Sequence, residues 1–145
     1  MGRQALIDMT NEPFFTFIDT GDYFLNNEVQ KEIITTLESS PDKDVFSWQY
    51  INEHNNKPST ITNNRLHSRV FRRAVITEKN IRFCPEGSYI NEDIGFNRAC
   101  RLLIPQEKWF LSHTPVIMWT YNKSSLSQSL SFYKHQTLGL ALNEE

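Results

Sequence analysis

Residues 14–24, FFTFIDTGDYF, predict a buried strand followed by an acidic turn. The first five of these residues are apolar except for one threonine, and a short continuous apolar run is typical of a strand covered on both faces, as in an α/β sheet. The run stops at Asp19, and Gly21 is free to take positive φ in the turn that follows. Two interpretations of Asp19 and Asp22 stay open. They hold a divalent metal beside a phosphorylated substrate, or they are turn residues that accept local backbone hydrogen bonds.

The rest of the chain alternates helical and strand patterns, which predicts one α/β domain with helices flanking a mixed sheet. The predicted helices cover residues 3–10, 27–37, 66–79 and 91–103, and the predicted strands cover 14–18, 45–51 and 115–121. Pro115 suits the beginning of its strand or a sheet edge. Asn91 is the expected N-cap of the fourth helix. Residues 52–64 are predicted to form a polar loop. A last amphipathic segment is predicted to carry Leu126, Leu130 and Tyr133 on one side. The expected apolar helix faces are Ala5, Leu6 and Met9 in the first helix, Val29, Ile33, Ile34 and Leu37 in the second, and Phe96, Ala99, Cys100 and Leu103 in the fourth.

The composition of the chain limits the classes of function that the protein can have. The chain has 145 residues, with 39% hydrophobic and 22% charged residues and a formal net charge of -2, which suits a single domain over 1–145. This near-neutral charge argues against steering to nucleic acid or to a membrane surface. The two cysteines give no disulfide framework. No run reaches the roughly 18 apolar residues of a spanning helix, and the N-terminus lacks the apolar core of a signal peptide. We therefore predict a soluble, cytoplasmic protein.

Three further groups of side chains could carry chemistry. Glu92 and Asp93 lie in the first turn of a predicted helix, where they act as caps or supply a general base. The second group is the arginines at 65, 69, 72, 73 and 82, most of which are spaced by three or four residues. This spacing places several of them on one face of a predicted helix. They either clamp a phosphate or form an ordinary solvated surface. The four histidines show no paired ligand spacing, and His113, just before a strand, is the one we consider for a metal.

The order of these signals resembles that of family 2 glycosyltransferases, which have the GT-A fold. GRQALIDMTNEPFFTFIDTGDYF (2–24) is similar to the family pattern that ends in D-S-D-D. LHSRVFRRAVITEKNIRFCPEGSYINEDIGFNRA (66–99) is similar to its K-L-Y-R-R…F-P-E-G…E-D-x-x-F-N segment, and PVIMWTYNKSSLSQS (115–129) is similar to the strand and serine-containing segment that follow.

The resemblance implies roles for several residues. Asp19 and Asp22 correspond to the first and last aspartates of the motif that binds metal and nucleotide-sugar, which implies Mn²⁺ or Mg²⁺ as cofactor. Asp93, beside Glu92, corresponds to the catalytic base that deprotonates the acceptor hydroxyl. Arg3 matches an arginine that helps bind the donor. Arg72, from the arginine group, is a further candidate for donor binding. The implied reaction transfers a sugar from a nucleoside diphosphate to an acceptor hydroxyl with inversion.

The sequence departs from the family pattern in ways that affect metal binding and completeness. Gly21 replaces the central aspartate of D-S-D-D, Gln4 replaces an asparagine, and Asn122 stands where an arginine is common. The resemblance begins after the family's first strands and its nucleotide-binding half. We expect residues 1–51 to carry the motif that binds metal and donor. We expect residues 65–129 to carry the catalytic base, and residues 130–145 to form a C-terminal tail.

Without those first strands, the strand at 14–18 needs a cover, which is a complementing chain, a second copy or a rearranged sheet. Three hypotheses stay open: an enzyme subunit completed by a partner, a non-catalytic binding or structural module, or a fragment of a longer chain. Nucleic-acid binding through the arginines is a distant alternative.

Overall fold

The computed structural model describes residues 2–61, 65–85 and 92–120. The helices are α1 (Arg3–Met9), α2 (Asn27–Ser39), α3 (Arg73–Glu78) and α4 (Glu92–Leu103), and a 3₁₀ turn covers Gln106–Lys108. The strands are β1 (Phe14–Thr16), β2 (Tyr23–Phe24), β3 (Val45–Asn52), β4 (Lys57–Pro58), β5 (Arg69–Arg72) and β6 (Trp109–Trp119).

The six strands form one mixed sheet in the order β1-β5-β3-β6-β2, and β4 pairs with the end of β3. The long strands β3 and β6 run parallel, while β5 is antiparallel to both β1 and β3 and β2 is antiparallel to β6. The predicted α/β class, with a mixed sheet and flanking helices, is confirmed. Within the described residues β1 forms one edge of the sheet, so one side of its backbone has no strand beside it.

Two apolar cores cover the two faces of the sheet. On one face α1, α3 and α4 pack around Phe71 and Phe96, and on the other α2 packs around Phe46 and Trp48. The alternation of side chains along a strand explains this division. In β1, Phe14 contacts the second core and Phe15 the first, so both faces of that strand are covered at these residues, as the apolar run predicts. The strand ends at Thr16 rather than at residue 18.

Helix α2 follows its local sequence closely. The side chain of Asn26 accepts a hydrogen bond from the backbone N–H of Val29 at 3.0 Å, which caps the helix. Val29 is buried, and Ile33 and Leu37 pack behind it against the sheet. Ile34, which the periodicity places on the same face, is 55% exposed.

The predicted helix at 66–79 is wrong over its first half. Residues Arg69–Arg72 form strand β5, and helix α3 starts only at Arg73. Val70 and Phe71 are both buried on opposite faces of the sheet, which a one-sided helix does not allow. Pairing on both sides, with β1 and β3, outweighs the helical propensity of the arginine-rich segment. The five arginines consequently do not share one helix face.

The position of Pro115 also corrects the sequence prediction. Strand β6 begins six residues earlier, at Trp109, and ends at Trp119, so the proline lies inside the strand. It pairs with Gln49 where the register between β3 and β6 shifts. A proline is tolerated at such an irregularity because the missing N–H is not needed for a regular ladder there.

Two helix faces and one loop need smaller corrections. In α1 the buried residue is Ile7, while Leu6 is 46% and Met9 68% exposed. In α4 Phe96 and Cys100 are buried as expected, but Leu103 is 46% exposed. The polar loop contains the short strand β4.

Among the described residues no helix has the length and apolar character needed to cross a lipid bilayer. The predicted cap Asn91, the departure at Asn122 and the last amphipathic segment lie outside the described residues.

Candidate functional site

Asp19, Asp22 and His67 come together at one end of the sheet. One ligand atom from each side chain lies within 4.8 Å of the other two. The pairing of β1 with β5 explains why. Thr16 is opposite Val70 in an antiparallel register. The chain segment that leaves β1 and the segment that enters β5 therefore lie at the same end of the sheet. Asp19 follows Thr16 by three residues, and His67 precedes Val70 by three.

Asp22 is the most buried member of this cluster, with a side chain that is 4% exposed. Its Oδ1 accepts hydrogen bonds from the backbone N–H of Thr120 at 3.0 Å and from the Thr120 hydroxyl at 3.1 Å. Its Oδ2 is buried without a hydrogen-bond partner in the part of the chain that the structure describes, and His67 Nδ1 lies 3.6 Å away. A buried carboxylate oxygen in this state is costly, and a bound cation would satisfy it.

Gly21 shapes the turn between the two aspartates. Its φ is +96°, and a Cβ at this position would lie 3.1 Å from the Thr120 hydroxyl oxygen. The turn is closed by a hydrogen bond from the N–H of Asp22 to the carbonyl of Asp19 at 3.0 Å. An aspartate at position 21 would therefore be strained in its backbone and crowded by Thr120. This accounts physically for glycine at the position where the family pattern has its central aspartate.

Arg3, at the start of α1, links the cluster to α4. One guanidinium nitrogen donates to Asp19 Oδ1 at 2.8 Å and the other to Glu92 Oε1 at 2.6 Å. Burial alone would lower the pKa of Arg3, but the hydrogen bond and charge of Asp19, with the charges of Glu92 and Asp93, outweigh burial and raise it. Arg3 thus stays cationic and holds two carboxylates from distant parts of the sequence beside each other.

Asp93 lies next to Glu92 in the first turn of α4 and has a different partner. Its Oδ2 is 3.7 Å from Arg65 Nη1, and its side chain is 16% exposed. Its backbone carbonyl accepts a hydrogen bond from Asn97 one turn later at 3.0 Å. Asp93 is therefore a partly buried carboxylate with a cation beside it.

His67 is the site residue that the sequence did not reveal. Burial lowers its pKa, although the negative charges of Asp19 and Asp22 oppose the shift, and a neutral imidazole is the form that binds metals. Its ring packs against Tyr50, with ring centroids 5.0 Å apart, and against Trp119, with ring centroids 5.7 Å apart. The following residue, Ser68, has φ +57°, a left-handed conformation that is uncommon for a residue with a side chain.

Two candidates from the sequence do not join this cluster. Arg72 binds the loop after α2, because its Nε and Nη2 donate to the carbonyl of Lys43 at 2.9 and 2.7 Å and its Nε lies 3.3 Å from Asp44. His113 is exposed on β6, near the register shift, and is not part of the group of possible ligands found among the described residues.

No protein-family model matches the sequence, and a search of curated proteins returns no match. Solved structures of S. aureus TarS do match. TarS 1–349 in complex with UDP-GlcNAc has a TM-score of 0.71 at 17% sequence identity, over 94% of this chain and 44% of that chain. TarS 1–349 alone gives 0.66 at 19% identity, over 94% and 42%. TarS 1–349 with UDP gives 0.64 at 18% identity, over the same shares.

These matches define the fold. The matched region covers 94% of this chain and shares the fold of TarS 1–349, and at such low identity the likeness concerns the fold alone. The chain spans less than half the length of the TarS 1–349 chains that it matches.

Proposed function

We propose that this protein binds a nucleoside diphosphate sugar with Mn²⁺ or Mg²⁺ and takes part in transfer of the sugar to an acceptor hydroxyl. The observation that carries the proposal is Asp22 Oδ2, a buried carboxylate oxygen without a hydrogen-bond partner among the described residues. It lies 3.6 Å from His67 Nδ1, in a group with Asp19 in which one ligand atom from each residue lies within 4.8 Å of the other two. The fold supports the proposal, since the TarS structures that it resembles contain UDP-GlcNAc or UDP.

The metal ligands in this proposal are Asp19, Asp22 and His67. Two carboxylates and one imidazole suit Mn²⁺ better than Mg²⁺, which prefers a shell of oxygens. When bound, the ion would supply positive charge to the diphosphate of the donor. Arg3 forms ion pairs with both Asp19 and Glu92, and its single positive charge offsets part of the negative charge that a diphosphate would meet.

Asp93 is the base in this proposal. Its Oδ atoms would take the proton of the acceptor hydroxyl while the hydroxyl oxygen bonds to the anomeric carbon and the bond to the nucleoside diphosphate breaks. Arg65 Nη1 lies 3.7 Å from Asp93 Oδ2, so a cation lies beside the proposed base. Glu92 stays ion-paired with Arg3, so of the two adjacent carboxylates we assign the proton transfer to Asp93.

The first experiment measures Mn²⁺ and UDP binding together by calorimetry with the purified chain. We expect UDP binding to require Mn²⁺ and to disappear with EDTA, and UDP to raise the affinity for Mn²⁺ because coupling between two ligands is reciprocal. Asp93→Asn is the control, since the proposed base contacts the acceptor and its loss leaves this coupling unchanged. UDP binding that is equally strong in EDTA, or absent at all Mn²⁺ concentrations, would contradict the proposal.

A non-catalytic binding module is the second candidate. Gly21 in place of an aspartate and the ion pair of Arg3 with Asp19 both reduce the ligand charge available to a metal. Under this alternative the fold and its carboxylates serve ligand or partner binding without turnover.

A complementing polypeptide is part of the proposal, and β1 is where we expect it to pair. This strand lies at a sheet edge, Ile18 just beyond it is 40% exposed, and a cavity of about 260 Å³ opens between α1 and β1. An edge strand with apolar surface beside it is a template for another strand.

Native mass spectrometry of the untagged protein from its own source tests the partner, together with a transfer assay. We expect a stoichiometric second polypeptide, no sugar transfer by this chain alone, and transfer by the complex that is lost in Asp93→Asn. A stable monomer or homodimer would rule out the complementing chain. Transfer by the isolated chain with Mn²⁺ would show that no partner is needed, and an inactive complex would favour the binding module.

A further inference from the structure

Arg3 joins two carboxylates that belong to different parts of the proposed site. Asp19 is one of the three candidate metal ligands, and its Oδ1 accepts a hydrogen bond from Arg3 Nη2 at 2.8 Å. Glu92 is outside the group of possible ligands found among the described residues, and its Oε1 accepts one from Arg3 Nη1 at 2.6 Å. One guanidinium therefore connects the metal cluster to α4, the helix that carries the proposed base, Asp93.

The contact between Arg3 and Asp19 places a cation on a carboxylate that the metal site needs. A carboxylate in a charge-assisted hydrogen bond has less negative charge to offer a second cation, and the guanidinium repels any cation that approaches the same carboxylate. The side chain of Arg3 is 25% exposed and that of Asp19 is 49% exposed, so solvent screens part of this effect. The ion pair is therefore weak enough to be exchanged for a stronger contact.

Arg3 has other partners that remain when it leaves Asp19. Its distance to Glu92 is the shorter of the two, and the Glu92 side chain is 28% exposed. The guanidinium carbon also lies 5.8 Å from the centre of the Phe17 ring, within the range of a cation–π contact. These contacts compensate the charge of Arg3, so the release of Asp19 does not leave an unpaired cation.

Helix α1 does not depend on the Arg3 side chain for its position. The side chain of Gln4 accepts a hydrogen bond from the backbone N–H of Phe83 at 2.9 Å, and Arg73 donates to the carbonyl of Ile7 at 2.6 Å. Ile7 is buried in the first core. The side chain of Arg3 can therefore change its partner, or be replaced, while the helix stays on the sheet.

We propose that Arg3 is an internal competitor for the metal. It holds Asp19 in the metal-free protein, and in the metal-bound protein it releases Asp19 and stays on Glu92. The turn at residues 19–22 is then no longer tied to the start of α4, which carries Asp93. This inference rests on the proposed function, because it needs the proposed metal site.

Mn²⁺ titration of the full chain by electron paramagnetic resonance, without nucleotide, tests the competition. In Arg3→Gln we expect Mn²⁺ to bind about tenfold more tightly than in the wild type, because the competing cation is gone. Arg3→Lys keeps the charge and should stay within about threefold of the wild type. Arg82→Gln serves as control. Arg82 also forms an ion pair with α1, at 3.0 Å from Asp8 Oδ2, and its loss should leave the affinity unchanged.

Hydrogen exchange followed by mass spectrometry tests the link to α4. In the wild type, saturating Mn²⁺ should speed the exchange of the backbone amides at the start of α4 at least about twofold, with α2 as the internal reference. In Arg3→Gln the exchange at the start of α4 should be fast without metal and unchanged by Mn²⁺, because the connection through Arg3 is absent in both states.

The possible results separate this inference from the proposed function. Equal or weaker Mn²⁺ binding in Arg3→Gln, with binding intact in the wild type, would overturn the competition and leave the metal site standing. Exchange in wild-type α4 that is the same with and without Mn²⁺ would overturn the link to α4. Mn²⁺ binding by neither protein would refute the metal site and the competition together.

Discussion

Replacement of Asp22 by asparagine is expected to weaken Mn²⁺ binding about 100-fold while the fold stays intact. Loss of a group that only supports a ligand already costs about 10- to 100-fold in metal affinity, and Asp22 is proposed as a ligand itself. Its buried Oδ2 becomes an amide NH₂ in the variant, and this group cannot bind a cation.

The same substitution should preserve the structural role of the side chain. The amide oxygen replaces Oδ1 as acceptor for the N–H and hydroxyl of Thr120, and the uncompensated buried charge disappears. Without metal, the variant should unfold at the same urea concentration as the wild type or at a higher one.

Mn²⁺ titration by electron paramagnetic resonance measures the loss directly, and urea denaturation in EDTA measures stability. Asp42→Asn is the matched control, because Asp42 is exposed in the loop after α2 and its loss removes the same charge elsewhere. Equal Mn²⁺ affinity in the wild type and Asp22→Asn would remove Asp22 from the site. A variant that unfolds much more easily in EDTA would show that the carboxylate serves the fold.

The sequence predicts some parts of this molecule well because their signals are local. The apolar run at 14–18 implies a strand covered on both faces, and the packing of Phe14 and Phe15 against opposite cores agrees. Helix α2 covers the predicted span 27–37, and Val29, Ile33 and Leu37 pack against the sheet as their helical spacing predicts. The α/β class follows from the alternation of such elements.

Because the helix prediction at 66–79 was wrong, the sequence also did not identify His67 as a residue of the candidate site. Helical spacing of apolar and arginine residues also occurs in a short strand buried on both faces, so periodicity alone does not separate the two. Because this segment looks helical, His67 reads as one more residue of a helix rather than as part of the turn that enters β5. Its closeness to Asp19 and Asp22 depends on the pairing of β1 with β5, a contact between segments more than fifty residues apart.

Other parts of the site depend on long-range contacts as well. Arg3 and Glu92 are 89 residues apart in the sequence and meet at 2.6 Å. Composition and spacing carry no signal for such a pair. The resemblance to a family pattern identified Arg3, and the first turn of a predicted helix identified Glu92, but neither signal predicted that the two residues bind each other. The same holds for Arg65 beside Asp93, which the sequence shows only as one of several arginines.

Replacement of Phe96 by alanine is expected to lower the free energy of unfolding by about 4 kcal/mol, a large part of the roughly 5–15 kcal/mol that a domain of this size has. Phe96 is 1% exposed. Its ring stacks on Phe83 at 4.2 Å and meets Phe71 edge to face at 5.4 Å. The substitution therefore removes two aromatic contacts and leaves a cavity between α4 and the sheet.

Urea denaturation followed by circular dichroism measures this loss, with Leu102→Ala as the control. Leu102 is on the same helix and 85% exposed, so its replacement should change stability by less than about 0.5 kcal/mol. A loss below about 1 kcal/mol in Phe96→Ala would mean that this stack does not hold α4 on the sheet.

The Phe96 variant also separates the two halves of the proposed site. Asp19, Asp22 and His67 lie on the segments that flank β1, β2 and β5, whereas Glu92 and Asp93 depend on α4 for their position. In the variant without denaturant, Mn²⁺ affinity should therefore stay within about threefold of the wild type as long as the sheet is folded. A parallel loss of metal affinity and of α4 packing would instead mean that the ion pair of Arg3 with Glu92 is needed to form the metal site.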